Sequence, residues 1–195
     1  MTTIFQSSPL SAESLPSQLD HINSIETIWG EHPEQCSAVC LLFLPGQKEA
    51  EVILTKRSHK VRTHKGQIGL PGGRRDARDK TPTATAFRET EEEIGIPREQ
   101  LVYHGQLPPI VGIDGHHIWP IVASSTWPLT DLNMNPNEVA EIIPVSWSLL
   151  THANSSNFTF KLFGKTRTSY LYLVDNHKVW GITANIIYTA NPRRH

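Results

Sequence analysis

Hydrophobic and polar positions along the chain follow two spacings, one typical of β-strands and one typical of α-helices. Short apolar or alternating runs bounded by turn residues predict strands. The predicted strands cover residues 37–44, 51–57, 100–107, 117–124, 139–145, 158–163 and 169–174. Because no regular strand–helix–strand repeat connects them, we expect an α/β (α+β) fold in which a mixed β-sheet is flanked by helices.

Three segments have the three- to four-residue spacing of a helix. The first, residues 10–28, predicts an amphipathic helix lying on the core. It divides the chain into an N-terminal helical arm, 1–35, and a main domain, 36–195. The last helix runs from Trp180 to about Thr189. Its buried side is expected to hold Ile182, Ile186 and Ile187.

The middle helix has the clearest boundaries. Thr81-Pro82 predicts its start, because threonine caps the free N–H groups of a first turn and proline is tolerated there. Gly95 predicts its end, because glycine readily adopts the left-handed conformation of a helix C-terminus. The glycine-rich loop Pro71-Gly72-Gly73 precedes this helix and permits a close approach of the backbone to it.

Length and composition narrow the class of protein. The 195 residues suit one domain with a substantial core, and a formal net charge of −1 argues against a nucleic-acid partner. No apolar run predicts a membrane helix and no secretory leader is visible, so we expect a cytoplasmic protein without a membrane partner. Cys36 and Cys40 lie in an apolar run. They are interpreted as small buried strand residues, because a zinc site needs four ligands.

Charge changes sign along the chain just before the middle helix. Between Lys48 and Lys80 there are ten Lys or Arg residues against four acidic ones. On the helix, Glu89, Glu92 and Glu93 stand at i, i+3 and i+4, so their carboxylates project from one face. This pattern suits a site that holds phosphates and a divalent cation such as Mg²⁺, which prefers oxygen ligands. A solvated acidic helix face is the alternative.

The same segment resembles a Nudix box, which reads Gly, five residues, Glu, seven residues, then Arg-Glu-apolar-x-Glu-Glu-x-Gly-apolar. Gly73 opens the segment and it closes with Arg88-Glu89-Thr90-Glu91-Glu92-Glu93-Ile94-Gly95-Ile96. Two positions depart from the motif. Thr90 stands where an apolar residue is usual, and Asp79 stands where the first Glu is expected, with eight residues rather than seven before Arg88.

The resemblance implies an α/β/α sandwich and a pyrophosphatase that depends on Mg²⁺ or Mn²⁺. It implies that Glu89 and Glu93 are the principal metal ligands and that Glu92 is a third ligand or the general base. Arg88 is expected to orient these carboxylates by ion pairing.

A further carboxylate from a later segment often completes such a site. Glu138 and Glu141 are the candidates, and Glu138 is preferred because the resembling proteins carry Glu-Val there. The alternative for each of them is a surface residue without a role in metal binding. His116-His117 beside Asp114 suggests another metal site, but a hairpin turn at Asp114-Gly115 explains these residues more simply.

The segments Leu54-Thr55-Lys56-Arg57-Ser58 and 61–73 are similar to the extended motif of the coenzyme A pyrophosphatases. That motif reads roughly Leu-Leu-Thr-x-Arg-Ser, a short gap, Arg-x-x-His-x-Gly-Gln, then Phe-Pro-Gly-Gly. Leu70 stands where Phe is usual. This resemblance implies cleavage of coenzyme A or acyl-CoA to 3′,5′-ADP and (acyl-)4′-phosphopantetheine.

Cationic and polar residues around this motif are the expected substrate contacts. Arg57, Arg62, His64 and Lys65 suit the phosphates of coenzyme A, including the 3′-phosphate. The whole expected substrate-binding set is Arg57, Arg62, His64, Gln67, Gly72, Gly73 and Arg74. Gln67 either bonds locally or holds the loop.

Two other functions stay open at this point. One is a Nudix hydrolase of another nucleotide, such as an oxidised dNTP, NADH or ADP-ribose. The other is a Nudix module that senses a nucleotide without cleaving it. In each case the partner is a small nucleotide, and the protein is expected to be a monomer or a homodimer.

Overall fold

The computed structural model describes Trp29 and residues 32–112, 115–162 and 164–191. Its strands are β1 (Cys36–Pro45), β2 (Ala50–Arg57), β3 (Ile68–Gly69), β4 (Gly72–Arg74), β5 (Val102–Gln106), β6 (Ile110–Val111), β7 (His117–Ser124), β8 (Val139–Ser146), β9 (Ser155–Leu162), β10 (Lys165–Val174) and β11 (His177–Trp180). Its α-helices are α1 (Pro82–Ile94) and α2 (Gly181–Ala190). Each predicted strand overlaps one of these strands, and both helices predicted in the described part are confirmed.

The main sheet has eight strands and a central order β3-β2-β1-β7-β5. β4 pairs with β1, β6 with β7, and β8 with β2. The pairing of β1 with β7 is parallel, from Cys36 opposite His117 to Phe43 opposite Ser124, whereas the other pairings are antiparallel. The prediction of a mixed sheet is therefore confirmed.

The two faces of the main sheet form two separate cores, because successive side chains of a strand point to opposite faces. On one face, Leu41 and Phe43 of β1 belong to a core that includes Ile186 and Ile187 of α2. On the other face, Leu42 belongs to a core that includes Ala86 and Ile94 of α1. A helix thus covers each face, which confirms the α/β/α arrangement.

The ends of α1 are those that the sequence predicts. The side chain of Thr81 caps the N-terminus by accepting a hydrogen bond from the backbone N–H of Ala84 at 3.1 Å. Gly95 ends the helix in the left-handed conformation, with φ 78°, and its N–H donates to the carbonyl of Glu91. These caps fix where α1 begins and ends.

Some elements differ from expectation. The glycine-rich loop contains the short strands β3 and β4, and β9, β10 and β11 form a second sheet of three strands that was not predicted as a separate layer. Trp180 ends β11 instead of beginning the last helix. The prediction for Ile182 was wrong, because 37% of this residue is exposed, whereas Ile186 and Ile187 are buried as predicted.

The predicted N-terminal arm lies outside the described residues, except for Trp29 and residues 32–35. Trp29 is buried and makes an edge-to-face contact with Trp119. Cys36 and Cys40 are buried on β1, as predicted. Among the described residues, no helix has the length and apolar character needed to cross a membrane.

Substitution of Gly95 tests the end of α1. A Cβ on Gly95 would lie 2.9 Å from the Cβ of Asn133, in addition to the unfavourable φ. A left-handed conformation costs an alanine about 1–2 kcal/mol, so we expect Gly95→Ala to lower the free energy of unfolding by more than this amount. Gly181→Ala is the matched control, since Gly181 has φ 68° and nothing within 4 Å of its added Cβ. Equal losses in urea unfolding would show that the Asn133 contact is unimportant.

Candidate active site

The glycine loop lies directly against the carboxylates of α1. A Cβ on Gly73 would come within 2.5 Å of the carboxyl carbon of Glu89, and a Cβ on Gly72 within 2.4 Å of the carbonyl oxygen of Ala38. The backbone N–H of Gly72 donates to Oε2 of Glu93 at 3.2 Å. Gly72 therefore requires glycine, because its added Cβ would meet the backbone of β1, whereas a Cβ on Gly73 would displace the carboxylate of Glu89.

Arg88 connects the acidic residues around it. Its Nη1 donates to Glu89 at 2.9 Å and to Glu92 at 2.8 Å. Its Nη2 donates to Asp79 at 2.9 Å and to the carbonyl of Arg74 at 3.0 Å. The guanidinium is nearly buried, so these contacts satisfy a cation that has little access to water. The orienting role expected of Arg88 matches this geometry.

Asp79 is buried although an extra residue separates it from Arg88. Burial alone raises the pKa of Asp79, but hydrogen bonds from Arg88, the Asp76 backbone and Thr85 outweigh it and lower the pKa below its usual value. Thr85 donates its hydroxyl at 2.7 Å. The sequence pattern did not single out Thr85, and its only signal was the spacing of three residues that puts it on the helix face of Arg88.

Thr90 and Leu70 depart from the family motifs, and both are buried in the core. Thr90 is fully buried, and its hydroxyl donates to the carbonyl of Ala86 at 2.7 Å, which satisfies the polar group within the helix. Leu70 is buried in the core that includes α2. Neither residue contacts the acidic cluster through a hydrogen bond, so neither departure alters its polar contacts.

A segment after β7 is fastened to the C-terminal end of α1. The N–H of Asn133 donates to the carbonyl of Ile94, and the N–H of Asn135 donates to the carbonyl of Glu93, each at 3.0 Å. The N–H of Glu138 in turn donates to the carbonyl of Asn135 at 3.1 Å. The free carbonyls of the helix end thereby hold Glu138 next to the acidic face.

The pairing of β2 with β8 contains a β-bulge at the end of β2. Lys56 pairs with Glu141, but the next residue, Arg57, pairs with Val139. One extra residue of β8 therefore stands opposite Arg57, and such a bulge re-aims the side chains around it. Nη1 of Arg57 lies 3.6 Å from Oε1 of Glu93. Within the described part of the chain, the buried Nε of Arg57 has no hydrogen-bond partner.

Three carboxylates meet at this place. One oxygen each of Glu89, Glu93 and Glu138 lies within 4.8 Å of the others. Glu93 is buried, which raises its pKa to about 8, and the nearby carboxylates of Glu89 and Glu138 add to this effect. Burial likewise raises the pKa of Glu89. The protein therefore places acidic groups where their charged forms are costly without a cation.

The chemistry of this donor set fits a divalent metal. Hard cations such as Mg²⁺ take carboxylate oxygens, often only one or two together with waters and substrate phosphates. Glu89, Glu93 and Glu138 offer three oxygens in a partly buried position. A bound cation would offset the repulsion between them. The fit rests on the donor atoms themselves and on their burial.

Two other acidic candidates are not members of this cluster of three carboxylates. Glu92 has a side chain that is 46% exposed and forms an ion pair with Arg88. Glu141 lies 3.5 Å from Nζ of Lys56 and 3.3 Å from Nε2 of His177. The geometry therefore favours Glu138, just before β8, over Glu141 as the further carboxylate of the cluster. The assignment of Glu92 as a third ligand or general base stays a prediction.

Four of the seven expected substrate contacts are exposed. Arg62, His64, Gln67 and Arg74 are exposed. His64 has a left-handed φ of 58°, and its Nδ1 lies 3.0 Å from Oε1 of Gln67. The N–H of Gln67 also donates to the carbonyl of His64 at 3.1 Å. Gln67 thus bonds locally and holds the turn.

The two neighbouring histidines belong to a hairpin. β6 and β7 pair antiparallel, with Val111 opposite His117, and the N–H of Gly112 donates to the carbonyl of His116 at 2.7 Å. Residues 113 and 114 of the predicted turn lie outside the described residues. Nε2 of His116 is 2.6 Å from the hydroxyl of Ser37, and the ring of His117 is 5.7 Å from that of Trp119. The hairpin interpretation agrees with these contacts.

Comparison with known proteins agrees with the fold and the site. The family model described as the NUDIX domain matches residues 34–171. The Nudix hydrolase NudL of Photorhabdus laumondii is 37% identical over 152 residues, which cover 77% of this chain and 81% of that protein. NudL of Yersinia pestis (strain Pestoides F) is 32% identical over 155 residues, covering 77% and 75%. The crystal structure of RenU, a Nudix hydrolase from M. smegmatis, has a TM-score of 0.50 and 29% identity, over 59% of this chain and 72% of that one.

The acidic helix, its glycine loop and the sandwich around them define a hydrolase of phosphorus anhydrides. The chain belongs to the Nudix family. It is a pyrophosphatase whose substrate is a nucleoside diphosphate-linked small molecule. Nudix hydrolases generally use divalent metals, and the cluster of Glu89, Glu93 and Glu138 is the acidic group that suits one.

The buried Glu93 makes the stability of the metal-free protein depend on pH. Because its pKa is raised from 4.5 to about 8 in the folded state, the folded protein binds this proton more tightly than the unfolded chain. Unfolding free energy should therefore fall as pH rises from about 4.5 to 8, and this loss should level off above 8. We expect Glu93→Gln to flatten this decline.

Urea unfolding in EDTA between pH 6 and 9 measures the effect. Glu91→Gln is the matched control, since Glu91 lies on the same helix and pairs with the exposed Arg98. An equal pH dependence of wild type and Glu93→Gln would contradict the assignment to Glu93.

Proposed function

We propose that this protein hydrolyses coenzyme A or acyl-CoA in the presence of Mg²⁺ or Mn²⁺, giving 3′,5′-ADP and (acyl-)4′-phosphopantetheine. One observation carries the proposal. Arg57, which lies within the segment that resembles the coenzyme A pyrophosphatases, lies 3.6 Å from Glu93 of the Nudix helix. This distance supports the proposal, because it brings one residue of the motif that suggests the substrate next to a carboxylate that suggests the chemistry.

Glu89, Glu93 and Glu138 are the proposed metal ligands. When bound, the metal screens the negative charge of the diphosphate and makes water a better nucleophile. Arg88 is proposed as a positioning residue, because its guanidinium donates to both Glu89 and Glu92. Its pairing with the buried Asp79 fixes the guanidinium, and the guanidinium in turn fixes the carboxylates.

Glu92 is the carboxylate proposed for proton transfer. Its side chain is 46% exposed, so water reaches it, whereas Glu93 is almost fully buried. A carboxylate oxygen of Glu92 would take the proton of the attacking water. The hydrogen bond from Arg88 keeps this carboxylate on the side of α1 that also carries Glu89.

The diphosphate is proposed to lie beside the carboxylates, within reach of Arg57. The side chain of Arg57 is 31% exposed, so its guanidinium can meet a phosphate oxygen beside Glu93. Gly72 and Gly73 keep the loop close to Glu89 and Glu93 and leave no side chain in the way.

Other expected contacts lie further out on the molecule. Arg62, His64 and Arg74 are exposed and are proposed to contact the remainder of the substrate. Gln67 supports His64 by the hydrogen bond between their side chains. A cytoplasmic location and a monomeric or homodimeric state are part of the same proposal.

A substrate panel tests the proposal. The protein is incubated with Mg²⁺ and coenzyme A, acetyl-CoA, NADH, ADP-ribose or 8-oxo-dGTP, and the products are identified by mass spectrometry. We expect the highest kcat/KM for a coenzyme A compound, with 3′,5′-ADP as one product. Preference for a substrate without pantetheine would reject the coenzyme A assignment, and tight binding without turnover of any compound would reject catalysis.

Two variants accompany the panel. Glu93→Gln should lower kcat by at least about 100-fold, the scale on which a group that assists proton transfer or metal binding contributes. Glu91→Gln should retain nearly full activity, since its side chain pairs with Arg98 on another face of α1. Near-normal activity of Glu93→Gln would mean that the metal ligands are misplaced.

A further inference from the structure

A small cationic pocket lies at the edge of the main sheet, next to the second sheet. Its volume is about 280 Å³. Its walls come from the end of β2, from the loop that leads to β3, and from the hairpin of β10 and β11. The cationic and aromatic side chains that line it are Lys56, Lys65, His177, Lys178 and Trp180.

The charge of this pocket is only partly compensated. Glu141 lies 3.5 Å from Lys56 and 3.3 Å from His177, so one carboxylate holds both of these side chains in the wall. Among the described residues, Lys65 and Lys178 have no carboxylate within ion-pair distance. Two lysines are thus available for an anion, and they come from elements far apart in the sequence.

An aromatic surface continues from the pocket. The indole of Trp180 is 40% exposed. Its ring centroid lies 5.9 Å from that of Phe158 and 6.2 Å from that of Phe160. An exposed indole supported by two other rings offers a flat surface on which a base can stack. The two lysines suit a phosphate and the indole suits a planar ring, so a ligand that fits this pocket carries both groups.

The pocket and the carboxylate cluster adjoin the same end of β2. Lys56 faces the pocket, whereas the adjacent Arg57 faces Glu93. The two sites meet at the loop after β2, where the N–H of Gly66 donates to the carbonyl of Arg57 at 3.0 Å and Gly66 also lines the pocket. The volume is slightly below the about 300–1,000 Å³ of pockets that enclose a whole ligand. It therefore suits one end of a larger substrate.

We propose that this pocket binds a phosphomonoester carried by the nucleoside of the substrate, and that Lys65 and Lys178 pair with it while Trp180 stacks on the base. In coenzyme A this group is the 3′-phosphate. The inference rests on the proposed function for the identity of the substrate. It assigns the selection for a 3′-phosphorylated nucleoside to β11 and the loop after β2, outside the Nudix box.

The matched pair coenzyme A and 3′-dephospho-coenzyme A tests the proposal, because the two compounds differ only in this phosphate. Wild type should prefer coenzyme A in kcat/KM by about tenfold or more, the effect of one charge-assisted contact. Lys178→Met should lose most of this preference. Lys48→Met removes the same charge from the exposed turn before β2 and should keep the preference.

Calorimetry of the metal-free protein with 3′,5′-ADP and 5′-AMP is a readout that does not need turnover. We expect 3′,5′-ADP to bind about tenfold more tightly in wild type and Lys48→Met, and the two ligands to bind alike in Lys178→Met. An unchanged preference in Lys178→Met would overturn the proposal. So would Lys178-dependent binding of inorganic phosphate without any gain for 3′,5′-ADP over 5′-AMP, because the pocket would then take free phosphate only.

The failure of the proposed function is distinguishable from the failure of this inference. If neither coenzyme A compound is hydrolysed, the proposed function is rejected, and a Lys178-dependent preference for 3′,5′-ADP still supports the pocket. If both compounds are hydrolysed equally well by wild type, the proposed function stands and the pocket assignment is rejected.

Discussion

The buried ion pair between Arg88 and Asp79 is the contact on which the acidic site depends. Several carboxylates crowded on one helix repel one another, and burying them adds a desolvation cost. Arg88 offsets this cost by donating hydrogen bonds to Glu89 and Glu92. Asp79 accepts a hydrogen bond from the same guanidinium and another from the hydroxyl of Thr85, and it thereby holds the guanidinium in place. The loop can then approach within contact of the helix because it carries glycine there.

The sequence was most informative where the structure is local. Thr81 and Gly95 act on their own helix, so their chemistry predicted both ends of α1. The spacing of Glu89, Glu92 and Glu93 predicted a common face. In the structure the environments of these glutamates differ, because consecutive residues of a helix point in different directions. Glu93 is buried against the glycine loop, whereas Glu92 is half exposed and pairs with Arg88.

The parts that the sequence did not determine depend on contacts between distant segments. Glu138 was preferred by resemblance alone, because the hydrogen bonds that fasten its segment to the carbonyls at the end of α1 leave no local pattern. The short strands β3, β4 and β6 form only because longer strands pair with them. The cationic pocket combines Lys65 with Lys178, which the pairing of β10 with β11 brings to the edge of β2. The sequence shows these charged residues, but it does not show that they lie close together in space.

Crystals soaked in Mn²⁺ provide the most direct test of the central claim, that two carboxylates of α1 and the carboxylate of Glu138, just before β8, form one metal site. The position of the ion is read from the anomalous difference density. The account predicts a peak in contact with carboxylate oxygens of Glu89, Glu93 and Glu138. A peak held by Glu92 or Glu141 instead, or Mn²⁺ bound elsewhere with this cluster empty, would contradict it.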